Sequence, residues 1–184
     1  LFQQMQAAFL SIAERERYQK NVAKSVALFT EAGSASLQDV LSHLGEASQA
    51  GRISYYQFVD EGDDSYWQIH SEHLQGDFPS LVTSQNLQRL PVKQLPYLLR
   101  GLEEQNFAIM DALPFEEKQF LGDAGMYNML ALAVRGRSSQ PGFICLDETA
   151  KERMWVSEEI DALLMSASAF SNTLIREEIG RAHV

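Results

Sequence analysis

The sequence predicts an α+β domain in which helices cover a mostly antiparallel sheet. Both ends of the chain carry apolar residues at helical spacing, the middle carries β-branched and aromatic residues that alternate, and two short segments further on are strongly apolar. The predicted order is helix, helix, strand, strand, helix, strand, helix, strand, strand, helix, which is typical of this fold class. With 184 residues, 45% of them hydrophobic, the chain is long enough to build one core.

The N-terminal segment contains neither glycine nor proline and predicts a helix over Leu1–Thr30. Such a helix would be about 45 Å long, more than a small domain needs. Part of it is therefore expected to pair with another helix, in the same chain or in a dimer. The alternative is two shorter helices that meet near the segment ERERYQK.

A short break separates this helix from the next. Gly33 is expected to end the first helix, and Ser34 or Ser36 to cap the second. The second helix carries one apolar face and should end at Gly45 or Gly51.

The period then changes to two, which predicts a β-hairpin. Arg52–Asp60 and Ser65–His73 are the two strands, joined by the polar turn EGDD. Alternation along the second strand predicts two opposite sets of side chains. One set is Tyr66, Gln68 and His70, and the other is Trp67, Ile69 and Ser71.

The rest of the chain alternates between short helices and strands. Residues 74–92 look irregular, a short helix begins near Pro96, and Asn106–Pro114 is a strand that runs into a turn. A helix follows Pro114 and ends at Gly122 or Gly125. The segments MYNMLALAVRG and QPGFICLDE predict two strands at the sheet centre, because they are the most apolar.

The last predicted element is a helix capped by Ser157, with acidic residues in its first turn. Its apolar positions recur every three or four residues and should form the buried stripe. They are Ile160, Leu163, Leu164, Ala167 and Leu174.

Four stretches in this order resemble a GAF domain, the sensory module of signalling proteins, and in particular the type found in bacterial sensor histidine kinases and diguanylate cyclases. They are LSHLGEASQAGRISYYQF, IMDALPFEEKQFLGDAGMYNMLALAV, GFICLDETAKERMW and SEEIDALLMSASAFSNTLIREE. The resemblance covers Ser25–Glu178. It implies a central antiparallel sheet of about six strands, with the first and last helices on one face and a ligand pocket on the other. It also implies a last helix that continues into a coiled coil and drives an output domain.

The resemblance divides the chain into three parts. Residues 1–30 are a signalling or linker helix, residues 31–178 are the GAF domain, and residues 179–184 are a non-native tail, because IGRAHV resembles the translation of a common sequencing adapter. The alternative for the tail is a natural terminus. Leu1–Arg17 also resembles the last helix, so it is either the exit helix of a preceding sensor domain or a chance match between two amphipathic helices.

The charge of the chain excludes several classes of partner. The formal net charge is −10 and no cluster of Lys and Arg is evident. Binding to nucleic acid or to an anionic membrane surface is therefore not expected. No apolar run is long enough to span a membrane, so no membrane insertion by this segment is predicted. The single cysteine excludes an intrachain disulfide and fits a cytoplasmic location.

The single cysteine, Cys145, has three interpretations: a nucleophile, a cofactor attachment point or a small buried residue. Asp147 and Glu148 follow it and would oppose a thiolate, and its strand is apolar, so the buried role is favoured. Among GAF proteins, methionine sulfoxide reduction needs several cysteines, and bilin attachment uses a cysteine that usually stands next to a histidine. Neither pattern occurs here. No catalytic residue is predicted.

Other polar residues have plain structural interpretations. His70 and His73 should point to opposite faces of a strand and so could not share a metal, and no metal site is predicted. The segment DETAKER is expected to be a solvated turn whose acids pair with Arg153. Trp155 is expected to cover the start of the last helix.

The resemblance makes ligand binding a better hypothesis than catalysis. The ligand is an unknown small molecule, and no cofactor is identified. The chain is predicted to be a sensory module that forms a homodimer through its terminal helices and is linked to an output domain. The alternative is a dimerisation spacer without ligand. The candidate ligand-binding residues are Tyr56, Trp67, Tyr97, Met110, Tyr127, Met129 and Phe143.

Overall fold

The computed structural model describes residues 9–83, 89–150 and 153–182, and α-helices and strands make up most of these ranges. The helices are α1 (Ile12–Ala32), α2 (Leu37–Ser48), α3 (Pro96–Glu104), α4 (Phe115–Asp123) and α5 (Ser157–Ala182). The strands are β1 (Arg52–Val59), β2 (Tyr66–Leu74), β3 (Arg89–Pro91), β4 (Phe107–Ile109), β5 (Leu130–Val134) and β6 (Gly142–Asp147).

The strands form one antiparallel sheet in the order β3-β2-β1-β6-β5-β4. This confirms the predicted fold class and the hairpin of β1 and β2. The apolar strands β5 and β6 lie inside the sheet, as predicted, and β6 pairs with β1 at its centre. The prediction that residues 74–92 are irregular is wrong at β3, whose three residues are too few to show a period.

Helices α1, α2 and α5 cover one face of the sheet, which we call the helix face. Their apolar residues pack on Ile53 and Tyr55 of β1 and on every second residue of β5 and β6. Phe29 of α1 stacks on Phe170 of α5 with ring centroids 4.9 Å apart, and Tyr55 contacts Phe170 edge-on at the same distance. The predicted stripe on the last helix is confirmed, since each of its residues is buried or partly buried.

The opposite face, which we call the ligand face because the resemblance places a pocket there, has its own apolar core. Side chains of β1, β2, β5 and β6 pack there against α3, α4 and the loops around them. The sheet therefore separates two hydrophobic clusters, and each central strand contributes alternate residues to both.

Helix α1 begins later than predicted. The predicted helix over Leu1–Thr30 is wrong at Phe9–Ser11, which is not helical, and residues 1–8 lie outside the described residues. Ser11 caps the N-terminus of the helix with a capping box: its Oγ accepts from the N–H of Glu14 at 3.1 Å, and the Glu14 carboxylate accepts from the N–H of Ser11 at 3.2 Å. Gly33 follows the last turn with φ 64°, as predicted.

Two other predicted helix ends differ from the structure. Neither Ser34 nor Ser36 caps α2, because residues 33–36 form a 3₁₀ turn in which the Ser36 hydroxyl donates to the Gly33 carbonyl at 2.8 Å. Helix α2 ends at Ser48, before Gln49, which adopts a left-handed conformation with φ 60°. The predicted stops at Gly45 and Gly51 are therefore wrong.

At the start of α5, a glutamate takes the place of the predicted serine cap. Ser157 is the first helical residue, and the carboxylate of Glu159 accepts from the N–H of Val156 at 2.8 Å. A carboxylate in the first turn also interacts favourably with the helix dipole.

A β-bulge in β2 changes the faces of two predicted residues. Ser71 pairs with Tyr55 while Ile69 pairs with Tyr56, so His70 has no partner on β1. Trp67 and Ile69 lie on the ligand face as predicted, but the bulge turns Ser71 to the helix face, together with its partner Tyr55.

The same bulge corrects the prediction for the two histidines. The His70 ring lies 5.6 Å from the Tyr55 ring, and His73 pairs with Ile53. Both therefore lie on the helix face and not on opposite faces. In the described ranges, no group of three or more His, Cys, Asp or Glu could hold a metal ion.

Helices α1 and α5 run parallel to each other. Arg15 of α1 pairs with Glu158 of α5 at 3.0 Å near their N-terminal ends. At the other end, the backbone N–H of Ser34 donates to the Glu177 carboxylate at 2.8 Å, and the Ser34 hydroxyl donates to it at 2.6 Å. The two helices are thus held together at both ends. None of the described helices is long and apolar enough to cross a membrane.

Candidate functional site

The ligand face carries a line of polar residues through its centre. On β1, alternation places Arg52, Ser54 and Tyr56 on this face, and on β6 it places Cys145 and Asp147 there. All five are fully or almost fully buried. Buried polar groups in such a row are uncommon in a sheet core and make this face the candidate site.

The row ends in a buried ion pair. Arg52 and Asp147 are register partners on the two central strands. The Nη2 atom of Arg52 lies 3.1 Å from Oδ2 of Asp147, Nε lies 3.2 Å from the same oxygen, and both side chains are 0% exposed. The other carboxylate oxygen accepts from the backbone N–H of Tyr127 at 3.0 Å.

Arg52 also binds two loops to the end of the sheet. Its guanidinium donates to the carbonyl of Pro79 and to the carbonyl of Gly125, each at 2.8 Å. Its Cζ lies 4.8 Å from the centre of the Phe78 ring. The loops before β3 and before β5 are therefore held by one side chain, which satisfies the requirement that a buried charge be paired and hydrogen-bonded.

Burial determines the protonation of the groups in this row. Burial raises the pKa of Asp147, while Arg52 and the Tyr127 N–H act in the opposite direction. Burial, followed by the charge of Asp147, raises the pKa of the Cys145 thiol well above its ordinary value. A thiol held neutral is a poor nucleophile. With 0% exposure, Cys145 is the small buried residue that the sequence indicated.

Next to the polar row lies an aromatic cluster. The ring of Tyr56 stacks on that of Phe143 with centroids 4.8 Å apart, and Trp67 meets Phe143 edge-on at 5.4 Å. The indole N–H of Trp67 donates to the carbonyl of Pro141 at 2.9 Å. Met129 lies next to Cys145, and the two sulfur atoms are 3.7 Å apart.

Two hydroxyls on the ligand face have no partner among the described residues. Ser54 Oγ and Tyr56 Oη are both buried and make no hydrogen bond there. Leaving a buried hydroxyl unpaired costs about 1–3 kcal/mol. Burial, and then the nearby Cys145 and Asp147, raise the pKa of Tyr56 well above its ordinary value, so its hydroxyl remains a neutral hydrogen-bond donor.

The seven predicted ligand-binding residues do not form one site. Four of them belong to the cluster just described, and each is 0% exposed: Tyr56, Trp67, Met129 and Phe143. Tyr97 and Tyr127 are about half exposed elsewhere, at 50% and 46%. Met110 lines a cleft of about 470 Å³ with Lys118 and Trp155.

A second cleft lies at the C-terminal ends of α1 and α5, on the helix face. It has a volume of about 580 Å³ and is lined by Tyr55, His70, Phe170 and the acidic end of α5. Both clefts have the volume of small-molecule sites. Neither includes the four clustered candidates, whose side chains belong to the buried core of the ligand face.

Sequence reasoning missed Arg52. Its signal was present, because Arg52 is the one charged residue of β1, whose other residues are uncharged. Asp147 was predicted to lie in a solvated turn and to pair with Arg153, which is wrong: it is the last residue of β6 and it is buried. A charged residue at an inward strand position predicts a partner of opposite charge on a neighbouring strand.

Glu148, the next acid of that segment, forms the ion pair that was predicted. Glu148 pairs with Arg153 at 3.0 Å, and the same guanidinium pairs with Glu159 of α5 at 2.9 Å. The guanidinium also donates to the carbonyl of Ser48 at 2.7 Å and to the hydroxyl of Tyr18 at 3.4 Å. The Tyr18 hydroxyl in turn donates to Glu159.

Trp155 lies over the start of α5, as predicted, and is 7% exposed. Its indole N–H donates to the carbonyl of Asn128 at 2.9 Å, and its ring lies 3.9 Å from Cζ of Arg153. This contact and the ion pairs fix the orientation of the Arg153 guanidinium.

No protein-family model matches the chain. Among curated proteins, the chain is similar to the methanogenesis regulatory histidine kinase FilI of Methanothrix harundinacea, with 25% identity over 141 residues. The match covers 75% of this chain and 16% of the kinase, so the chain spans about a sixth of that relative's length.

Three solved structures illustrate the structural likeness. The phycoerythrobilin-bound GAF domain from a cyanobacterial phytochrome is 14% identical with a TM-score of 0.65, over 89% of this chain and 97% of that one. The chromophore-binding domain of the bacteriophytochrome RpBphP3 from R. palustris is 15% identical with a TM-score of 0.73, over 96% and 65%. The Thermosynechococcus elongatus PixJ GAF domain is 14% identical with a TM-score of 0.63, over 95% of each chain. The chain therefore has the GAF fold.

Proposed function

We propose that this GAF domain is a non-catalytic sensory module of a multidomain signalling protein, of the sensor histidine kinase class. The observation that carries the proposal is the parallel pair of α1 and α5 on one face of a GAF fold, held together at both ends by the contacts of Arg15 and of Glu177. A change in the domain that shifts one helix must shift or strain the other. Such a pair is suited to relaying a conformational state.

The likeness to a histidine kinase supports the class of the whole protein. The matched region is a small part of that kinase. The output domain is accordingly proposed to be covalently linked to this module and to lie outside the 184 residues. This part of the protein is proposed to work in the cytoplasm, a compartment with which its single free cysteine is compatible.

The proposed ligand site is the ligand face around Tyr56. The four clustered candidates supply apolar and aromatic surface, and the unpaired hydroxyls of Ser54 and Tyr56 supply hydrogen-bonding groups. Such a mixture is typical of small-molecule sites. In the described conformation these side chains pack against one another, so a ligand would bind after the cluster has opened.

A homodimer through the terminal helices is part of the proposal. Two large apolar side chains, one on α1 and one on α5, are exposed: Ile12 at 75% and Met165 at 61%. Exposed apolar residues on long helices favour pairing with another helix.

The second candidate function is a dimerisation spacer without ligand. It is favoured by the complete burial of Tyr56, Trp67, Met129 and Phe143, which leaves no space between them for a ligand in this conformation. In that case the two helices would relay mechanical changes only.

Native mass spectrometry of the purified chain tests the two functions. A retained small molecule whose loss follows substitution of Phe143 supports the sensory function. A homodimer without any adduct, whose interhelical cross-links are the same in every condition, supports the spacer. A monomer in which cross-links along α1 and α5 show no dependence on conditions would contradict both.

One solved neighbour is described as phycoerythrobilin-bound and another as a chromophore-binding domain, and this gives a further test. Co-expression of the chain with enzymes that make phycoerythrobilin or biliverdin is expected to give no visible absorption band. Cys145 is 0% exposed, and burial raises the pKa of its thiol well above the ordinary value, so the group is a poor nucleophile for chromophore attachment. A covalent adduct at Cys145 would establish a photoreceptor.

A further inference from the structure

Arg153 lies where the loop after β6 meets three helices. Its Nη1 atom donates to Glu148 in the loop at 3.0 Å and to the Ser48 carbonyl at the end of α2 at 2.7 Å. Its Nη2 atom donates to Glu159 of α5 at 2.9 Å and to the Tyr18 hydroxyl of α1 at 3.4 Å. One planar group therefore contacts both terminal helices and the loop.

The geometry requires a guanidinium. Two different nitrogens point in fixed directions, one toward the loop and α2 and the other toward α1 and α5. A lysine ammonium is a single point and could not hold both sets of partners in these directions. The ring of Trp155 lies against one face of the guanidinium and fixes the orientation of its plane.

Carboxylates surround the guanidinium of Arg153 and hold it in place. Glu148 and Glu159 face the guanidinium, and their side chains are 15% and 4% exposed. Glu14 and Arg17 on α1 line a small cleft together with Arg153, and the Arg17 side chain donates to the carbonyl of Ala47 at 2.9 Å. The side chain of Arg153 is itself 18% exposed, so its ion pairs are stronger than those of surface residues.

A short path links this group to the ligand face. Asp147, the last residue of β6, is held on the ligand face by Arg52, and the next residue, Glu148, holds Arg153. The backbone N–H of Glu148 also donates to the Tyr127 carbonyl at 3.2 Å, and the backbone N–H of Tyr127 donates to Asp147. A movement of the end of β6 must therefore move one partner of Arg153.

We propose that Arg153 is the positioning residue that couples the end of β6 to the parallel pair of α1 and α5. This inference deepens the proposed relay function and rests on it for its biological meaning. The coupling itself is a property of the chain and requires neither a ligand nor a dimer.

A thermodynamic cycle tests the coupling directly. Tyr18→Phe removes a partner on α1, and Glu148→Gln removes the charge of a partner in the loop. The free energies of unfolding of the two single variants and the double variant are measured by denaturation. We expect the effects of the two substitutions to be non-additive, because both residues act through one guanidinium. The unfolding equilibrium constant of the double variant should differ by at least about 3-fold from the value that the two single variants predict.

The same cycle is then measured in an Arg153→Gln background. The non-additivity is expected to disappear there, whereas general destabilisation would leave it unchanged. If the Gln variant does not fold, Arg153→Lys replaces it and is expected to reduce the non-additivity. Arg135→Gln is the matched control, because Arg135 also donates to several acceptors, among them the carbonyls of Leu102 and Glu103, but away from α1.

Spin-label distances provide a second readout. One label pair at Glu16 and Asp161 reports the N-terminal ends of α1 and α5, and a pair at Glu31 and Asn172 reports the C-terminal ends; all four residues are exposed, and Cys145 is too buried to be labelled. Arg153→Gln or Arg153→Lys should broaden the first distance distribution and leave the second unchanged.

The outcomes separate this inference from the proposed function. Additive effects of Tyr18→Phe and Glu148→Gln, or non-additivity that survives in both Arg153 backgrounds, would overturn the coupling role even if a ligand or a dimer is found. Conversely, confirmed coupling in a chain that binds no ligand would leave the coupling intact and remove only the sensory function.

Discussion

Arg52 and Asp147 form an ion pair across the two central strands, and neither side chain has any exposed surface. The pair lies at one end of the polar row on the ligand face. It closes that end of the domain, because Arg52 also holds the carbonyls of Pro79 and Gly125.

Removing one partner of this pair should be strongly destabilising. We expect Arg52→Met to lower the free energy of unfolding by about 3–5 kcal/mol, because it leaves the Asp147 carboxylate buried without a counter-charge. The double variant Arg52→Met, Asp147→Leu should be more stable than Arg52→Met alone. Urea denaturation of the variants measures both effects. The prediction would be contradicted if the free energy of unfolding of the double variant fell by the sum of the losses in Arg52→Met and in Asp147→Leu.

Removal of the Tyr56 hydroxyl should not destabilise the domain. Tyr56→Phe removes a buried hydroxyl that has no partner in the described part of the chain, and keeps the ring that stacks on Phe143. We expect the free energy of unfolding to stay the same or to rise by up to about 1 kcal/mol. Thermal and urea denaturation are the measurements.

Tyr18→Phe is the matched control for that variant. The Tyr18 hydroxyl is paired, because it donates to Glu159 and accepts from Arg153. Its removal should therefore lower the free energy of unfolding by about 1–3 kcal/mol. Equal effects of the two Tyr→Phe changes would show that the Tyr56 hydroxyl has a partner in solution.

The thiol of Cys145 should be unreactive in the folded chain. Burial raises its pKa, and the strand gives a reagent no access. We expect no reaction with a disulfide reagent under native conditions and one thiol per chain after unfolding in denaturant. Cys145→Ala should fold and cost about 1 kcal/mol or somewhat more, as for a small cavity. Fast native labelling would contradict the buried position.

The contact of Glu177 with Ser34 predicts a pH dependence. The Ser34 hydroxyl, followed by its backbone N–H, holds the pKa of Glu177 below its ordinary value of 4.5. The stabilisation is present above that value and is lost as the pH falls through the lowered pKa, because the folded state holds the proton less tightly than the unfolded state.

An NMR titration of the Glu177 carboxyl measures this shift. Ser34→Ala removes the largest cause and should raise the pKa of Glu177 toward 4.5. Ser138→Ala serves as a control, because Ser138 is an exposed serine that lines the same cleft. An unchanged pKa of Glu177 in Ser34→Ala would show that the Ser34 hydroxyl does not contact this carboxylate in solution.

The fold could be predicted from the sequence because its signals are local. A period of two identified β1 and β2, and periods of three to four residues identified α1, α2 and α5. Continuous apolar segments identified β5 and β6, and prolines indicated the starts of α3 and α4. The three-residue strand β3 could not be found in this way, since it is defined by its pairing with Tyr66–Gln68 of β2.

The period of two was not enough to predict which face of the sheet each side chain of β2 occupies. Simple alternation holds up to His70 and fails at Ser71, because one extra residue in an antiparallel pair reverses the faces of all the residues that follow it. A bulge depends on the partner strand, and a single strand sequence does not reveal it. The misplacement of Ser71 and His73 follows from that one residue.

The candidate site was predicted in part. Tyr56, Trp67, Met129 and Phe143 do meet on one face, because strand alternation is a reliable guide to which residues share a face. Tyr97 and Tyr127 lie in a helix and a loop, where a side chain's direction depends on packing that no short pattern encodes. Whether the cluster binds a ligand remains a prediction.

The common direction of α1 and α5 determines how the domain could be joined to others. Because the two helices run side by side in the same sense, any segment that precedes α1 and any that follows α5 must lie at opposite ends of the domain. Modules connected in this way would stack along a single axis, each adding about 40 Å, the length of a 26-residue helix. A displacement or rotation of the helices at one end of such a stack would then be transmitted to the other end along the same axis.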